Sequence, residues 1–451
     1  MLPTLALTGI VVSLMQTLVV PLLRELPALL HTSASTASWV VTATLLAAAV
    51  ATPMAGRLGD MYGKRRMILV SLAFLVVGSV VCALTSEPTL MILGRALQGA
   101  ATGAIPLGIS ILRDELPPAK VPGAIAVMSS TMGVGGAIGL PLAALTAQNL
   151  DWHWLFWAAA TLGTAAIVAI ARVVPESPVR TPGRFDMVGA LGLAAGLVAL
   201  LLAITQGHGW GWTSPATLGL LVGGVVILLA WGAFELRTAE PLVDLRVTGS
   251  RPVLLTNLAS VLTGFAMYAT ALTVPQLLMS PTWTGYGIGQ SMVVAGLSMA
   301  PGGIVMMLLS PVSAWITGRF GGRVTLITGT TVIAIGYLTG ALLMGSVWQI
   351  VLAATIIGAG TGIAYAAMPA LIMGSVPISE TGAANGLNAL MRTVGTSTSA
   401  AVMTVVLTSM TFTVHGTVVP TRTAFVTTFL IGAGAAVAAL VLAAFIPRRT
   451  E

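Results

Sequence analysis

Long apolar segments alternate with short polar breaks along the whole chain. A membrane-spanning helix needs about twenty mainly apolar residues, and charged, glycine-rich or proline-rich breaks divide the sequence into fourteen such segments. Their approximate first residues are Thr4, Trp39, Met67, Thr89, Gly123, Leu155, Met187, Ala216, Pro252, Ile288, Val324, Trp348, Ala383 and Thr423. Apolar segments of this length predict an all-α integral membrane protein with fourteen transmembrane helices.

The composition agrees with this pattern and excludes an ordinary soluble domain. Of the 451 residues, 56% are hydrophobic and only 7% are charged, whereas soluble domains carry about 25% charged residues. The net charge of +7 is spread thinly between apolar segments, so we interpret it as a topology signal and predict no nucleic-acid partner. The single Cys82 allows no intrachain disulfide and no metal site built on several thiolates. We predict no metal and no cofactor.

Basic residues fall almost entirely on one side of the predicted helices. Two, Arg24 and Arg422, lie on the other side. The sixteen on the first side are Arg57, Lys64, Arg65, Arg66, Arg113, Lys120, Arg172, Arg180, Arg184, Arg237, Arg246, Arg251, Arg319, Arg323, Arg448 and Arg449. Because cytoplasmic loops carry the excess of Lys and Arg, we predict that both termini are cytoplasmic. The first segment has no basic residue before it and no cleavage pattern after it, so we expect an uncleaved helix.

A short segment recurs in the second part of the chain. Residues 53–65 align with residues 311–323 at an offset of 258 positions, and Gly63 and Arg65 both recur. The position of Asp60 holds a glycine in the second copy. Such internal repeats are typical of transporters built from two related halves.

We therefore divide the chain into three parts. Residues 1–172 are predicted to form an N-terminal six-helix bundle, and residues 252–451 a C-terminal six-helix bundle. Residues 173–251 form a linker that contributes two additional transmembrane helices. In transporters with repeats, the substrate site lies near the bilayer midplane between the repeats.

A dense charge cluster joins the second and third predicted helices. The segment from Gly56 to Arg66 reads Gly-Arg-Leu-Gly-Asp-Met-Tyr-Gly-Lys-Arg-Arg. Gly56 and Gly63 permit close backbone approach, and Asp60 can accept hydrogen bonds from a neighbouring helix end. Arg65 and Arg66 can bind anionic headgroups, although both are also compatible with ordinary topology-setting charges. The segment resembles the cytoplasmic signature of the major facilitator superfamily, which implies the major facilitator fold and a gating role for this loop.

Arg95 lies within the fourth predicted span, where an arginine costs at least about 2.5 kcal/mol on insertion scales. Something must offset this cost, and the polar Gln98 and Thr102 share its helix face at i+3 and i+7. The sequence Arg-Ala-Leu-Gln-Gly that starts at Arg95 resembles the fourth-span motif of the superfamily. The resemblance implies that this arginine takes part in proton coupling. The alternative is a side chain that extends outward to the membrane surface.

The fifth span combines glycines with a proline. Gly135 and Gly139 lie one helical turn apart and allow tight packing, while Pro141 removes a backbone hydrogen bond. This stretch resembles the antiporter motif of superfamily exporters, with an Ala-Ala pair in place of the paired glycines. The Trp-His-Trp-Leu-Phe sequence of residues 152–156 resembles the Trp-Arg-Trp-Ile-Phe of fourteen-span drug:proton antiporters.

A second intramembrane arginine, Arg392, lies about two turns inside the thirteenth span. With Asn388 and Gly395 it resembles the Arg-x-x-Gly stretch of the same antiporter family. We interpret it either as a charge that faces the transport pathway or as one that reaches the cytoplasmic surface. Where that family usually carries a first-span acid, this chain has Met15, so a titrating group would have to lie elsewhere. The candidates are the peripheral Glu25, His31, Asp60, Asp151 and His153.

Polar, aromatic and methionine side chains within apolar spans are candidates for a substrate cavity. Adaptable pockets combine such side chains with apolar walls. The candidates are Met15, Gln16, Gln98, Asn257, Tyr268, Gln276, Tyr365 and Asn388. Each is also compatible with packing between helices.

Together these features predict a secondary active transporter that exports hydrophobic or amphipathic small molecules in exchange for protons, by alternating access. The sequence has no Gly-x-x-x-x-Gly-Lys-Ser/Thr loop for ATP. An importer or uniporter of the same superfamily is the alternative. A polytopic enzyme is more remote, because it needs clustered acids or histidines and the four histidines are scattered.

The expected partners are the small-molecule substrate, protons and the lipid bilayer of the plasma membrane, with the chain acting as a monomer. Because Arg95 and Arg392 face no intramembrane acid in the sequence pattern, an anionic or neutral substrate is favoured over a cation.

Overall fold

A computed structural model describes residues 1–19, 22, 25–181, 183–414 and 417–447. This part of the chain is almost entirely helical. In chain order its α-helices are α1 (Leu2–Thr17), α2 (Leu26–Leu29), α3 (Ala34–Tyr62), α4 (Lys64–Ala83), α5 (Pro88–Ala100), α6 (Ala104–Glu115), α7 (Val121–Asn149), α8 (Trp154–Val173), α9 (Met187–Trp210), α10 (Pro215–Glu235), α11 (Leu245–Thr248), α12 (Arg251–Met279), α13 (Met292–Leu297), α14 (Ala300–Leu308), α15 (Ser310–Leu342), α16 (Val347–Met373), α17 (Thr381–Ser409) and α18 (Arg422–Ala444). Helices α5 and α6 are joined by a 3₁₀ turn, so that Pro88–Glu115 forms one long helical segment.

Twelve helical segments in the described residues are long and apolar enough to cross a membrane. Two features separate this number from the predicted fourteen. Helix α1 has only 16 residues, or about 24 Å at the usual rise, which is short of the roughly 30 Å hydrocarbon core. The segment Met292–Leu342, with 51 residues, contains two of the predicted spans. Gly321 interrupts it with a non-helical backbone at φ 82°. The helical membrane architecture is confirmed, while the count of fourteen stays a prediction.

Polar residues in the breaks start many of these helices. The side chain of Ser33 accepts a hydrogen bond from the backbone amide of Thr36 at the start of α3, and Glu87 does the same at α5. Asp186 begins α9 in this way, and Ser214 begins α10. Such caps satisfy backbone donors that have no partner within the helix, which explains why the breaks fall where they do.

A two-stranded antiparallel hairpin lies between α17 and α18, and the sequence pattern did not predict it. Strand β1 (Thr411–Val414) pairs with β2 (Thr417–Pro420), and Thr411 lies opposite Pro420. β-branched Thr and Val residues dominate both strands, and such residues favour extended backbone. The hairpin is confined to this loop, and the all-α fold class is unaffected by it.

Two large hydrophobic cores are present. The first joins residues from Leu5 to Val174 with Met373, and the second joins residues from Ala259 to Ile446. A third, smaller core joins α9 to α3 and α17. Each terminal part of the chain thus packs around its own centre, and α9 of the central helix pair lies against the place where the two parts meet.

Three residues of the charge pattern, Arg24, Arg448 and Arg449, lie outside the described residues. The orientation of the termini relative to a membrane stays a prediction.

Candidate functional site

A cavity of about 220 Å³ lies between the two large cores. Helices α1, α3, α5, α6 and α7 line one side, and α12, α14, α16 and α17 line the other. Its walls are mostly apolar and include four methionines, Met132, Met267, Met299 and Met306. Unbranched, polarizable methionine side chains adapt to ligands of different shape. Among the described residues, no Asp, Glu, Lys or His lines the cavity.

Arg95 reaches this cavity from α5 and is 1% exposed. Its Nη1 donates to the side-chain oxygen of Gln98 at 2.7 Å and to the backbone carbonyl of Met15 at 3.1 Å. Its Nε donates to the backbone carbonyl of Val40 at 3.4 Å. All three acceptors are neutral. The guanidinium is therefore held by hydrogen bonds, and no carboxylate within the described residues forms a salt bridge with it.

Arg392 reaches the same cavity from α17 and is 7% exposed. Its Nη1 donates to the side-chain oxygen of Asn388 at 2.6 Å. Its guanidinium carbon lies 5.4 Å from the ring centre of Tyr365, within the range of a cation–π contact. Asn388 in turn donates to Asn257 at 2.9 Å and to Ser260 at 2.7 Å. This network fixes the guanidinium at the cavity wall.

The predicted cavity residues divide into two groups. Gln16, Tyr268 and Tyr365 line the cavity together with both arginines. The other five, which do not line it, are Met15, Gln98, Asn257, Gln276 and Asn388. Most of these five support the wall from behind. Gln98, for example, donates to Ser79 at 2.8 Å.

Asp60 makes a direct contact between the two parts of the chain and is 1% exposed. Its carboxylate accepts hydrogen bonds from the backbone amides of Gly382 at 3.1 Å and Ala383 at 2.8 Å. These amides belong to the first turn of α17, where the helix dipole favours a negative charge. We call this pairing the Asp60 contact. Gly56, one turn earlier on α3, lies so close that an added Cβ would collide with the carbonyl of Gly382.

Lys64 and Asp114 extend this contact, and sequence reasoning missed their pairing. The Lys64 Nζ lies 2.5 Å from Asp114 and 3.6 Å from Asp60. It also donates to the Thr381 hydroxyl at 3.3 Å. The second carboxylate is 50 residues from Lys64 in sequence, and only the fold brings them together. The result is a buried charge network at the junction of α3, α4, α6 and α17.

Gly63, Arg65 and Arg66 shape the turn that follows. Gly63 has φ 111°, a value that favours glycine. The carboxylate of Glu176 accepts from the backbone amides of Arg65 at 2.9 Å and Arg66 at 3.2 Å, which caps the start of α4. The guanidinium of Arg65 also donates to the carbonyl of Ala171. This segment is thus tied both to its own bundle and, through Asp60, to the other one.

The fifth-span motif packs against α1. The backbone at Gly135 approaches Ser13, and that at Gly139 approaches Thr17. Ser13 donates to the carbonyl of Met132 at 2.8 Å. Pro141, further along α7, faces Gly296 of α13. Helix α7 therefore lies between α1 of the first part and α13 and α14 of the second.

The peripheral titratable candidates do not line the cavity. Asp151 and His153 lie in the loop before α8, with the His153 Nδ1 2.5 Å from the Asp151 carboxylate. Hydrogen bonds from the backbone amide and the imidazole of His153 hold the pKa of Asp151 below its usual value. This pair is separated from both arginines of the cavity.

Comparison with known sequences identifies related proteins. The sequence model of the Major Facilitator Superfamily matches residues 5–400 and 256–451. An uncharacterized MFS-type transporter of Mycobacterium tuberculosis is 30% identical over 399 residues, which are 85% of this chain and 55% of the relative. The chain thus spans about half the length of that relative. The tetracenomycin C resistance and export protein of Streptomyces glaucescens is 29% identical over 84% of the chain and 70% of its own length. Multidrug resistance protein 3 of Bacillus subtilis is 26% identical over 79% and 70%.

Solved structures show the same fold. The human organic anion transporter MFSD10 superposes with a TM-score of 0.69 over 98% of both chains, at 14% sequence identity. The proton:xylose symporter XylE superposes with a TM-score of 0.65 over 99% of this chain and 95% of its own, at 13% identity.

Proposed function

The chain belongs to the Major Facilitator Superfamily, and we propose that it is a secondary active transporter that exports hydrophobic or amphipathic small molecules in exchange for protons. One observation carries this proposal: a methionine-rich cavity between two helical bodies, with a glycine-mediated contact joining the bodies at one end. Relatives named for multidrug resistance and for tetracenomycin C export support the direction and the substrate class.

The mechanism we propose is alternating access. The bodies formed by residues 1–172 and 252–451 rock about the cavity, while residues 173–251 contribute the two central helices of a fourteen-span protein. The Asp60 contact stabilises the state that is closed at its end, which we place at the cytoplasmic face with both termini. Opening that end breaks two hydrogen bonds to α17 and separates Gly56 from Gly382.

We assign separate roles to the remaining motifs. Arg95 and Arg392 supply fixed positive charge to the cavity, and substrate binding changes their hydrogen bonding to Met15, Gln98 and Asn388. The Gly135 and Gly139 face of α7 allows this helix to slide on α1 during the transition. The chain acts as a monomer in the plasma membrane.

Uptake into inverted membrane vesicles tests this function. An exporter that exchanges substrate for protons accumulates fluorescent dyes or antibiotics inside vesicles that are acidic within, and a protonophore stops the accumulation. Vesicles from cells without the protein provide the control. Accumulation that is the same with and without the imposed pH gradient contradicts proton exchange. If no compound in a panel of anionic, neutral and cationic molecules is transported, export is contradicted.

One observation favours a uniporter as the second candidate. Within the described residues, the cavity has no carboxylate or imidazole to carry a proton between its two openings. A uniporter equilibrates its substrate across the vesicle membrane without accumulation, so the same experiment separates the two mechanisms.

A further inference from the structure

The cavity carries an unbalanced positive charge. Two guanidiniums, those of Arg95 and Arg392, line it, and no carboxylate of the described residues does. The salt bridges present in the described part of the chain join Lys64 to Asp60 and Asp114, and His153 to Asp151. None of them involves either cavity arginine, so the charge of both is met only by neutral hydrogen-bond acceptors.

An unpaired buried charge is unfavourable unless a ligand of opposite charge offsets it. Arginine presents five N–H donors in a planar fork that matches a carboxylate. The hydrogen bonds of Arg95 use its Nε and Nη1, and that of Arg392 uses its Nη1. Among the described residues, the Nη2 group of neither guanidinium donates a hydrogen bond, so it is left for a ligand in the cavity.

Tyr365 gives an independent indication of a ligand. Its side chain lines the cavity and is 2% exposed, yet its hydroxyl has no hydrogen-bond partner among the described residues. A buried hydroxyl without a partner is costly. Because the guanidinium of Arg392 lies over the same ring, an acceptor bound by Arg392 from the cavity lies near this side chain.

The remaining walls select the rest of the ligand. Met132, Met299 and Met306 provide soft apolar surface, and Tyr268 adds an aromatic ring. Sulfur atoms of methionine and aromatic rings interact favourably with each other. A planar aromatic ring system is thus complementary to the cavity walls, and a carboxylate is complementary to a guanidinium.

We infer that the cavity binds an aromatic organic anion, whose carboxylate pairs with Arg392 beside Tyr365, while Arg95 adds positive charge to the same cavity and the ring system lies against the methionine walls. This inference rests on the proposed function and defines its substrate class.

Binding of two dyes by the purified full chain in detergent tests the inference. Fluorescein and rhodamine 123 share a xanthene skeleton but carry opposite charge at neutral pH, so fluorescence anisotropy compares charge at nearly constant shape. We expect fluorescein to bind at least about tenfold more tightly than rhodamine 123. Failure of fluorescein to bind, or equal binding of the two dyes, overturns the inference.

Variants locate the site of the anion. We expect Arg392→Gln to weaken fluorescein binding about tenfold, and Arg392→Lys to weaken it less, because lysine keeps the charge but loses the fork. The matched control Arg319→Gln removes an exposed arginine that lies over Trp315, and it should leave the affinity unchanged. The melting temperature of each variant separates loss of binding from loss of folding. Equal affinities of the wild type and a folded Arg392→Gln variant overturn the assignment of this site.

Vesicle transport distinguishes this inference from the function on which it rests. If rhodamine 123 accumulates and fluorescein does not, the export function is supported. The inference that the substrate is an anion is then overturned. A competition experiment adds 150 mM chloride or an equal concentration of gluconate. If chloride abolishes fluorescein transport and gluconate does not, the site binds small inorganic anions, and the inference of an aromatic substrate is overturned. Lack of transport of any compound in the panel contradicts the function itself.

Discussion

The two copies of the internal repeat, residues 53–65 and 311–323, differ in what they contact. In the first copy Asp60 binds the start of α17 and is buried. In the second copy the matching position is Gly318, and an added Cβ there would meet no atom within 4 Å. One copy therefore joins the two bodies, whereas the other lies open.

The copies agree in the features that act within one body. Gly63 and Gly321 both have positive φ, at 111° and 82°. Arg65 donates to the carbonyl of Ala171, and Arg323 donates to that of Ala444. The turn and the arginine contact thus occur in both halves, while the acid between the bodies occurs in one. On the proposed mechanism, closure at this end therefore depends on a single copy, and substitutions in the two copies can test this asymmetry.

The largest effect is expected from charge reversal at Asp60. In Asp60→Lys a cation replaces the acceptor of two α17 amides and approaches Lys64, which we expect to weaken the contact by about 3 kcal/mol or more and to abolish transport. Uptake into inverted vesicles measures the loss, and immunoblotting of the membranes checks insertion. Gly318→Lys is the matched control and should transport normally. Equal loss in both variants, or normal transport by Asp60→Lys, contradicts the asymmetry.

Gly56→Ala is expected to have the next largest effect. The new methyl group collides with the backbone carbonyl of Gly382, which no side-chain rotation relieves, so we expect a cost of about 1–3 kcal/mol in the closed state. Transport should fall several-fold. The position that aligns with Gly56 is already alanine, Ala314, so the control is Gly318→Ala, which meets no neighbour and gains helix propensity worth up to about 1 kcal/mol. A Gly56→Ala variant with unchanged transport would show that the bodies are not in close contact here.

The two turn glycines should differ by a smaller amount. Alanine at either Gly63 or Gly321 is strained by the positive φ, at about 1–2 kcal/mol. At Gly63 the added Cβ also lies 2.7 Å from the carboxyl carbon of Glu176, which caps α4. We therefore expect Gly63→Ala to lower the melting temperature more than Gly321→Ala. Equal shifts would show that the cap readjusts without cost.

The sequence pattern was sufficient for the helical membrane architecture, because long apolar segments have few alternatives in a bilayer, whereas the major facilitator fold was implied by the resemblance of the Gly56 to Arg66 segment. It did not determine the number of spans. Hydropathy cannot tell whether the 16 residues of α1 span the membrane. The charges of Arg319 and Arg323 did predict a break before the span at Val324, and Gly321 interrupts the 51-residue helical segment at that place.

Site residues were predictable where their chemistry is unusual for a membrane span. They were not predictable where packing between residues distant in sequence determines which side chains line the cavity or pair with each other. Arg95 and Arg392 are conspicuous because a charge in an apolar span is costly, and both line the cavity. Gln98 and Asn388 are equally polar, yet they face other polar groups and lie behind the wall. Met306 was not predicted, because nothing in the sequence distinguishes it from the other methionines of the 21 in the chain. Neither was the Asp114 pairing, which joins residues that are distant in sequence.

The smallest effect is expected where the copies agree. Arg65→Ala and Arg323→Ala each remove a hydrogen bond from a guanidinium to a helix carbonyl in their own body. At partly exposed positions such a bond contributes about 1 kcal/mol, so both variants should melt at nearly the same, slightly lower temperature and keep most of their transport. If Arg65→Ala impairs transport as severely as Asp60→Lys while Arg323→Ala does not, the asymmetry extends beyond the acid. The arginine of the first copy would then act between the bodies, and the contact would depend on the whole segment rather than on Asp60 and Gly56.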